Sequence, residues 1–210
     1  MSSDEARIRN HFHFNALSGG ILLDQGIHMI DVCNWALGSH PVQAIGSGGI
    51  KGGPDYGDTW NHYQVLFEYP KDTNVSFHST QLGPAFGDVC ARFVGTKGIA
   101  EAHYGRGVFI EGENKWDSGI LREEKALTAE QRAAGVFTSS LHDSTDNKVK
   151  SFINSIETGK YLNETKQGAE STMSAILGRE AAEAGKKMTW EDLIAANEKL
   201  DAKLNLEQFD

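Results

Sequence analysis

Cysteines, basic clusters and long apolar runs are what this sequence lacks. Only Cys33 and Cys90 occur among its 210 residues. That excludes a disulfide framework and leads us to expect a reducing, cytoplasmic setting. Lys and Arg number 20 against 29 Asp and Glu, a formal net charge of −9. With no basic patch, a nucleic-acid backbone and an anionic membrane are both poor partners. No run of 18 apolar residues is present to span a bilayer, and the polar start, Met1 to Ala6, has no signal-peptide pattern and is expected to fray. The eight histidines come without Cys-x-x-Cys or His-Glu-x-x-His, so no metal is expected. His11 and His13 share a face only if Arg7 to Ser18 is an extended lead-in, a spacing that more often lines a strand surface than binds metal. GSGGIKG at Gly46 to Gly52 has glycines near a dinucleotide-binding turn, but their spacing is wrong and a loop and strand follow where a helix is needed. We read Gly46 to Gly57 as a hairpin loop.

What is present is enough for a well-buried core, and we read residues 1–210 as one domain. Gly19 to Leu37 forms the centre of that reading. Leu23, Ile27, Ile30 and Leu37 recur at helical spacing in a mostly apolar stretch, so the helix is expected to be enclosed on several sides. Asp24, His28 and Asp31 stand at i, i+4 and i+7, within roughly 60° of one another on a helix. A carboxylate beside His28 would fix its tautomer and stabilise the imidazolium, as a proton-transfer group near neutral pH requires. The alternative from the residues alone is an ordinary helix-surface pair, with Asp31 solvated or bonded to a loop.

Gly38 and Pro41 end that helix. Strands are expected at Val42 to Gly48, His62 to Tyr69, Val75 to Ser79, Val89 to Gly95 and Ile99 to Tyr104, with a further short pair at Val108 to Glu111 and Lys115-Trp116, joined by short links. Trp60, His62, His78, Gln81 and Tyr104 are candidates to line a sugar-sized site, although a residue of this kind, taken alone, is more often a sheet-surface residue. Ser118 to Leu141 reads as an irregular excursion. Helices follow: a stripe of Val149, Phe152, Ile153 and Ile156 ending at Gly159, then Ala169 to Ala184, then a helix started by Thr189-x-x-Asp. The fold class expected is α+β, a predominantly antiparallel open-faced sheet with helices on one face. Its uncovered face is expected to bury itself in a homo-oligomer.

GGILLDQGIHMID resembles the substrate-domain motif of the Gfo/Idh/MocA family, the glucose-fructose oxidoreductase and inositol 2-dehydrogenase group. HPVQAIGSGG, GDTWNHYQVLFEYP, RFVGTKGIAEAHY, NKVKSFINSIETGK and ILGREAAEAGKKMTWEDL resemble the same domain in order, from about Arg7 to Leu200. The resemblance implies the C-terminal, substrate-binding and oligomerisation domain of an NAD- or NADP-dependent sugar or polyol dehydrogenase. The family's N-terminal Rossmann domain, with its phosphate loop and Glu-Lys-Pro lysine, has no counterpart here. The cofactor would then be bound by a nucleotide-binding part outside this sequence or by a partner in trans, and the chain alone would not turn over. Residue by residue, the resemblance implies that His28 takes the substrate hydroxyl proton and that Asp24 is its acidic companion. It also implies that Asp31 and, more weakly, Asn10 bind substrate, and it finds Asn61 where relatives often have Asp. The rival readings are a stand-alone sugar-binding or oligomerisation module without redox activity, and a metal-assisted sugar lyase.

Overall fold

The computed structural model describes residues 3–53, 56–82, 89–104, 107–119 and 141–209. In chain order the helices are α1 (Ser3–Arg9), α2 (Asn15–Ser18), α3 (Ile27–Leu37), α4 (Leu141–Thr158), α5 (Thr165–Ala184) and α6 (Trp190–Ala196). The strands are β1 (Gln43–Gly49), β2 (His62–Tyr69), β3 (Thr73–Thr80), β4 (Cys90–Gly95), β5 (Gly98–His103), β6 (Gly107–Gly112), β7 (Trp116–Asp117) and β8 (Met188–Thr189). They form two four-stranded antiparallel sheets, ordered β3-β2-β1-β8 and β4-β5-β6-β7. The α+β class expected from the sequence holds; its strands divide between two sheets. The chain resolves into two compact units, Met1–Ala85 with Thr165–Asp210, and Phe86–Glu164.

In the first unit, period-two alternation decides which face of the sheet is buried. Tyr63, Val65, Phe67 and Tyr69 of β2 are 1–3% exposed, whereas Gln64 and Leu66 between them are exposed. Burying each of these large side chains contributes on the order of 1.5–3 kcal/mol. The helix over them is α5, which packs on β1, β2 and α3. Its inner side is small: Ala175, Gly178, Ala181 and Ala182 are all buried. Gly178 shows why, since a Cβ there would lie 2.5 Å from the Phe67 ring. The turn from β2 to β3 is the three residues Pro70 to Asp72 between the paired Tyr69 and Thr73, and it passes through Lys71 and Asp72, both left-handed at φ 64° and 55°.

Three expectations in this unit are corrected. Arg7 to Ser18 is helical, with α1, a 3₁₀ turn at His11–His13 and α2; His11 and His13 therefore do not share a strand face. Ion pairs Arg9–Glu5 and Arg7–Asp4 at helical spacing support α1. Its first turn is tied down, because Asp4 Oδ2 accepts from the Asn205 backbone N–H at 3.0 Å. The start of the glycine-rich stretch is strand, since β1 runs through Gly46, Gly48 and Gly49. A Cβ on Gly48 would stand 2.2 Å from the His62 carbonyl, so close strand approach is what glycine allows there.

The helix ends follow their signals. Gly38 is left-handed at φ 64° and closes α3, with Ser39 N–H donating to the Asn34 carbonyl at 3.2 Å. Thr189 and Asp192 cap α6 reciprocally, and the hydrogen bonds from Thr189 hold the Asp192 carboxyl below its ordinary range. Among the described residues no helix is long and apolar enough to cross a membrane.

In the second unit the register pairs Cys90 with His103 and Glu101 with Phe109. The stripe on α4 lies on one helix as expected, but Val149, Phe152, Ile153 and Ile156 are 48–63% exposed. Most of Ser118 to Leu141 lies outside the described residues.

Candidate functional site

The stretch that carries Asp24 and His28 is more elaborate than one regular helix. It begins after two left-handed glycines, Gly19 (φ 74°) and Gly20 (φ 77°). Ser18 Oγ accepts the Gly20 N–H at 3.0 Å and so closes the turn. The Gly20 carbonyl accepts from both Leu23 and Asp24 N–H, at 3.1 and 2.9 Å. Leu22–Gly26 then forms a π-helical turn before α3 takes over at Ile27. Single π turns inside α-helices recur at functional sites because they re-aim the side chains on either side. Here the turn contains Asp24 and ends two residues before His28. Gly26 allows it to lie against the sheet, where a Cβ would come within 2.9 Å of Phe77.

The helix is buried on one side only, which corrects the expectation of enclosure on several sides. Ile21, Leu22, Ile30, Cys33 and Asn34 are 0–7% exposed. Asp24, Gln25 and His28 are exposed, and Trp35, seven residues after His28, is 77% exposed. The polar groups therefore form an open strip on the outside of an anchored helix, where a ligand has access to them.

Asp31, the third group of the sequence pattern, is half-buried and accepts the Ser171 hydroxyl at 2.6 Å from α5. It belongs to a polar network threaded through the helix pair. Asn34 Nδ2 donates to Ser171 Oγ at 3.2 Å and Ser174 Oγ at 3.1 Å, while Asn34 Oδ1 accepts the Tyr69 hydroxyl at 2.7 Å. Burial raises the pKa of the Tyr69 phenol above its ordinary range, and that of the neighbouring Cys33 thiol to about 11. Both stay protonated near neutral pH. The network fixes the rotation of α3, and hence the direction of its open side.

The other sequence candidates are dispersed. Asn10 is exposed and turns back to donate to the Ala6 carbonyl at 2.8 Å. Trp60 is half-buried with its ring 5.4 Å from that of Tyr63, and His62 Nδ1 lies 3.1 Å from Asn61 Oδ1. A cavity of about 380 Å³ opens beside them, lined by His13, Lys51, Tyr56, Thr59, Asn61 and Gln81 among others. Of the residues proposed for a sugar-sized site, Gln81 lines it; Trp60 and His62 do not.

Two residues that the sequence did not single out hold this region together. Arg179 is 5% exposed and donates from Nη1 to the Gly19 carbonyl at 3.4 Å, its charge met by Glu180. Asp58 accepts the Asn15 N–H at 2.7 Å, and its own N–H donates to the His13 carbonyl at 2.9 Å. The signal for Arg179 was an arginine on the small-residue face of α5; Asp58 had none.

Residues 2–101 match the family model described as GFO/IDH/MocA C-terminal domain. No curated protein matches the chain. Similar solved structures include GenD2 from gentamicin A biosynthesis in complex with NAD, at 18% identity and TM-score 0.59, over 85% of this chain and 50% of that one. Myo-inositol 2-dehydrogenase from Lactobacillus plantarum is similar at 20% identity and TM-score 0.55, over 86% of this chain and 51% of that one. The UDP-N-acetylglucosamine 3-dehydrogenase GnnA from Acidithiobacillus ferrooxidans is similar at 14% identity and TM-score 0.56, over 79% and 48%. The chain thus spans about half the length of the structures it matches, and at these identities the likeness concerns the fold. The family match is confined to residues 2–101, a little under half of the chain.

Proposed function

We propose that this chain is the substrate half of a nicotinamide-dependent sugar or polyol dehydrogenase, with His28 as the proton acceptor and Asp24 as its acidic companion. The observation that carries the reading is the open polar strip on an anchored helix: Asp24 and His28 are exposed, while the opposite side of the same helix is in the core. The π turn beside them and the domain match support it, and the named relatives act on a polyol and a nucleotide sugar.

In this reading NAD or NADP, when bound by a nucleotide-binding domain or partner outside this chain, supplies the hydride acceptor. This sequence has no glycine-rich phosphate loop of its own. The chain's task is the proton. As the substrate carbinol carbon gives up its hydride, the hydroxyl proton passes to the His28 imidazole and the product is a ketone. Asp24 stabilises the resulting imidazolium. Asp31, already bonded to Ser171, keeps a second carboxylate oxygen with which to accept a substrate hydroxyl, and Trp60, His62 and Asn10 are the remaining proposed contacts. A homo-oligomer through the open face of the first sheet completes the proposal.

The test is turnover in the dehydrogenase assembled with its nucleotide-binding half. His28→Ala is expected to lower kcat by roughly 10²- to 10⁴-fold, the range for a positioned acid-base group, with the oligomer mass unchanged. Turnover like that of the wild type would refute the catalytic role, and loss of the oligomer would point to a structural one.

A further inference from the structure

One face of the second sheet gathers donor atoms of three kinds. The register sets Cys90 directly across from His103 and Arg92 across from Glu101. Alternate residues of a strand share a face, so all four side chains stand on the same side. Phe109 of β6, across from Glu101, joins them and stacks on the His103 ring, with centroids 5.8 Å apart and planes 15° apart. The side chains of His103 and Glu101 are only 8% and 17% exposed. One donor atom from each of Cys90, Glu101 and His103 lies within 4.8 Å of the other two. Neither cysteine of the chain is in a disulfide.

We propose that Cys90, Glu101 and His103 form a binding site for a transition-metal cation of zinc type. Thiolate, imidazole and carboxylate together are the ligands Zn²⁺ takes, whereas Ca²⁺ and Mg²⁺ require oxygen donors throughout. Tetrahedral zinc holds its ligands at about 2.0–2.3 Å, which puts the donors roughly 3.3–3.8 Å from one another. The three donors lie within 4.8 Å of one another, and the move asked of the side chains is rotation that opens the 2.7 Å contact of Glu101 Oε2 with His103 Nε2. Glu101 is already aimed for the task. Arg92 Nε holds its Oε1 at 2.5 Å, and Oε2 faces His103 Nε2 at 2.7 Å, the way an outer partner orients a metal-binding carboxylate. Three protein ligands leave a fourth position for water. Binding displaces the thiol proton to solvent and clamps β4 to β5. The spacing Cys-x₁₀-Glu-x-His matches no standard metal motif, because the antiparallel pairing of β4 with β5 brings the ligands together.

The whole chain, stripped of metal with a chelator, is titrated calorimetrically with Zn²⁺ alone. One equivalent is expected to bind, and no binding overturns the proposal. Zinc-edge X-ray absorption of the loaded wild-type protein is expected to show one sulfur neighbour. A shell of nitrogen and oxygen only means capture elsewhere, for instance at His11 and His13, and also overturns it. With Co²⁺ in place of zinc, the sulfur-to-cobalt charge-transfer band should vanish in Cys90→Ser and persist in Cys33→Ala. The opposite pattern would assign the sulfur to Cys33 and end the claim. None of these readouts depends on redox activity or on His28, so they stand or fall apart from the proposed function.

Discussion

Tyr69 shows how much can rest on one hydroxyl. Its O–H is the donor to Asn34 Oδ1 at 2.7 Å, and Asn34 is 7% exposed. Tyr69→Phe leaves a buried acceptor without its donor, a loss of about 1–3 kcal/mol. Urea unfolding of the purified variant is the check; a change below about 0.5 kcal/mol, the range of ordinary surface substitutions, would show that the network does not fix α3. At this scale the sequence was legible where chemistry contradicted its surroundings. Asp24 and His28 stand out in an apolar run, and the structure puts both on the open side of the helix. Asp31 looked like their equal, yet its bond to Ser171 comes from 140 positions away, and periodicity carries no such information. Asn10 is the reverse case: its amide is taken up by a local bond to Ala6 that any helix end can offer.

Among the elements, the α5–sheet contact is the most sharply determined. A Cβ on Gly178 would meet Phe67 ring atoms at 2.5 and 2.9 Å and Leu22 Cδ2 at 3.1 Å. Although alanine favours helix over glycine, Gly178→Ala is expected to destabilise, by about 1–3 kcal/mol from overpacking. Combining it with Phe67→Leu should cost less than the sum of the two single changes, since the smaller side chain makes room. Additive thermal-unfolding losses would mean that Gly178 and Phe67 do not press on each other. The helix ends at Gly38, Gly159 and Gly185 were readable because a left-handed stop has a dedicated residue. The π turn was not, because its i to i+5 bonding leaves no compositional mark. Arg7 to Ser18 misled because so short a segment, with polar and aromatic groups in alternation, fits a strand period as well as a helix period.

On the scale of the whole molecule, turn chemistry shows that neighbouring strands pair but leaves open how many sheets they make. That is why the seven strands legible in the sequence, together with β8, which it did not show, divide between two units among the described residues. Among the described residues, the first sheet carries exposed apolar side chains on one face. Ile45 and Leu66 sit directly opposite each other in the β1–β2 register, at 46% and 45% exposure, on the face turned from Tyr63, Phe67 and the α5 helix. An exposed cross-strand apolar pair flanked by polar neighbours such as Ser47, Gln64 and His78 suits a self-complementary contact: a two-fold axis would set each pair against its copy. Leu66→Glu places a carboxylate at the middle of that contact. We expect the wild-type chain to sediment as an oligomer and Leu66→Glu as a folded monomer, its circular dichroism spectrum unchanged because Leu66 is not in the core. A monomeric wild type, or an oligomer that survives the added charge, would move the interface elsewhere on the molecule.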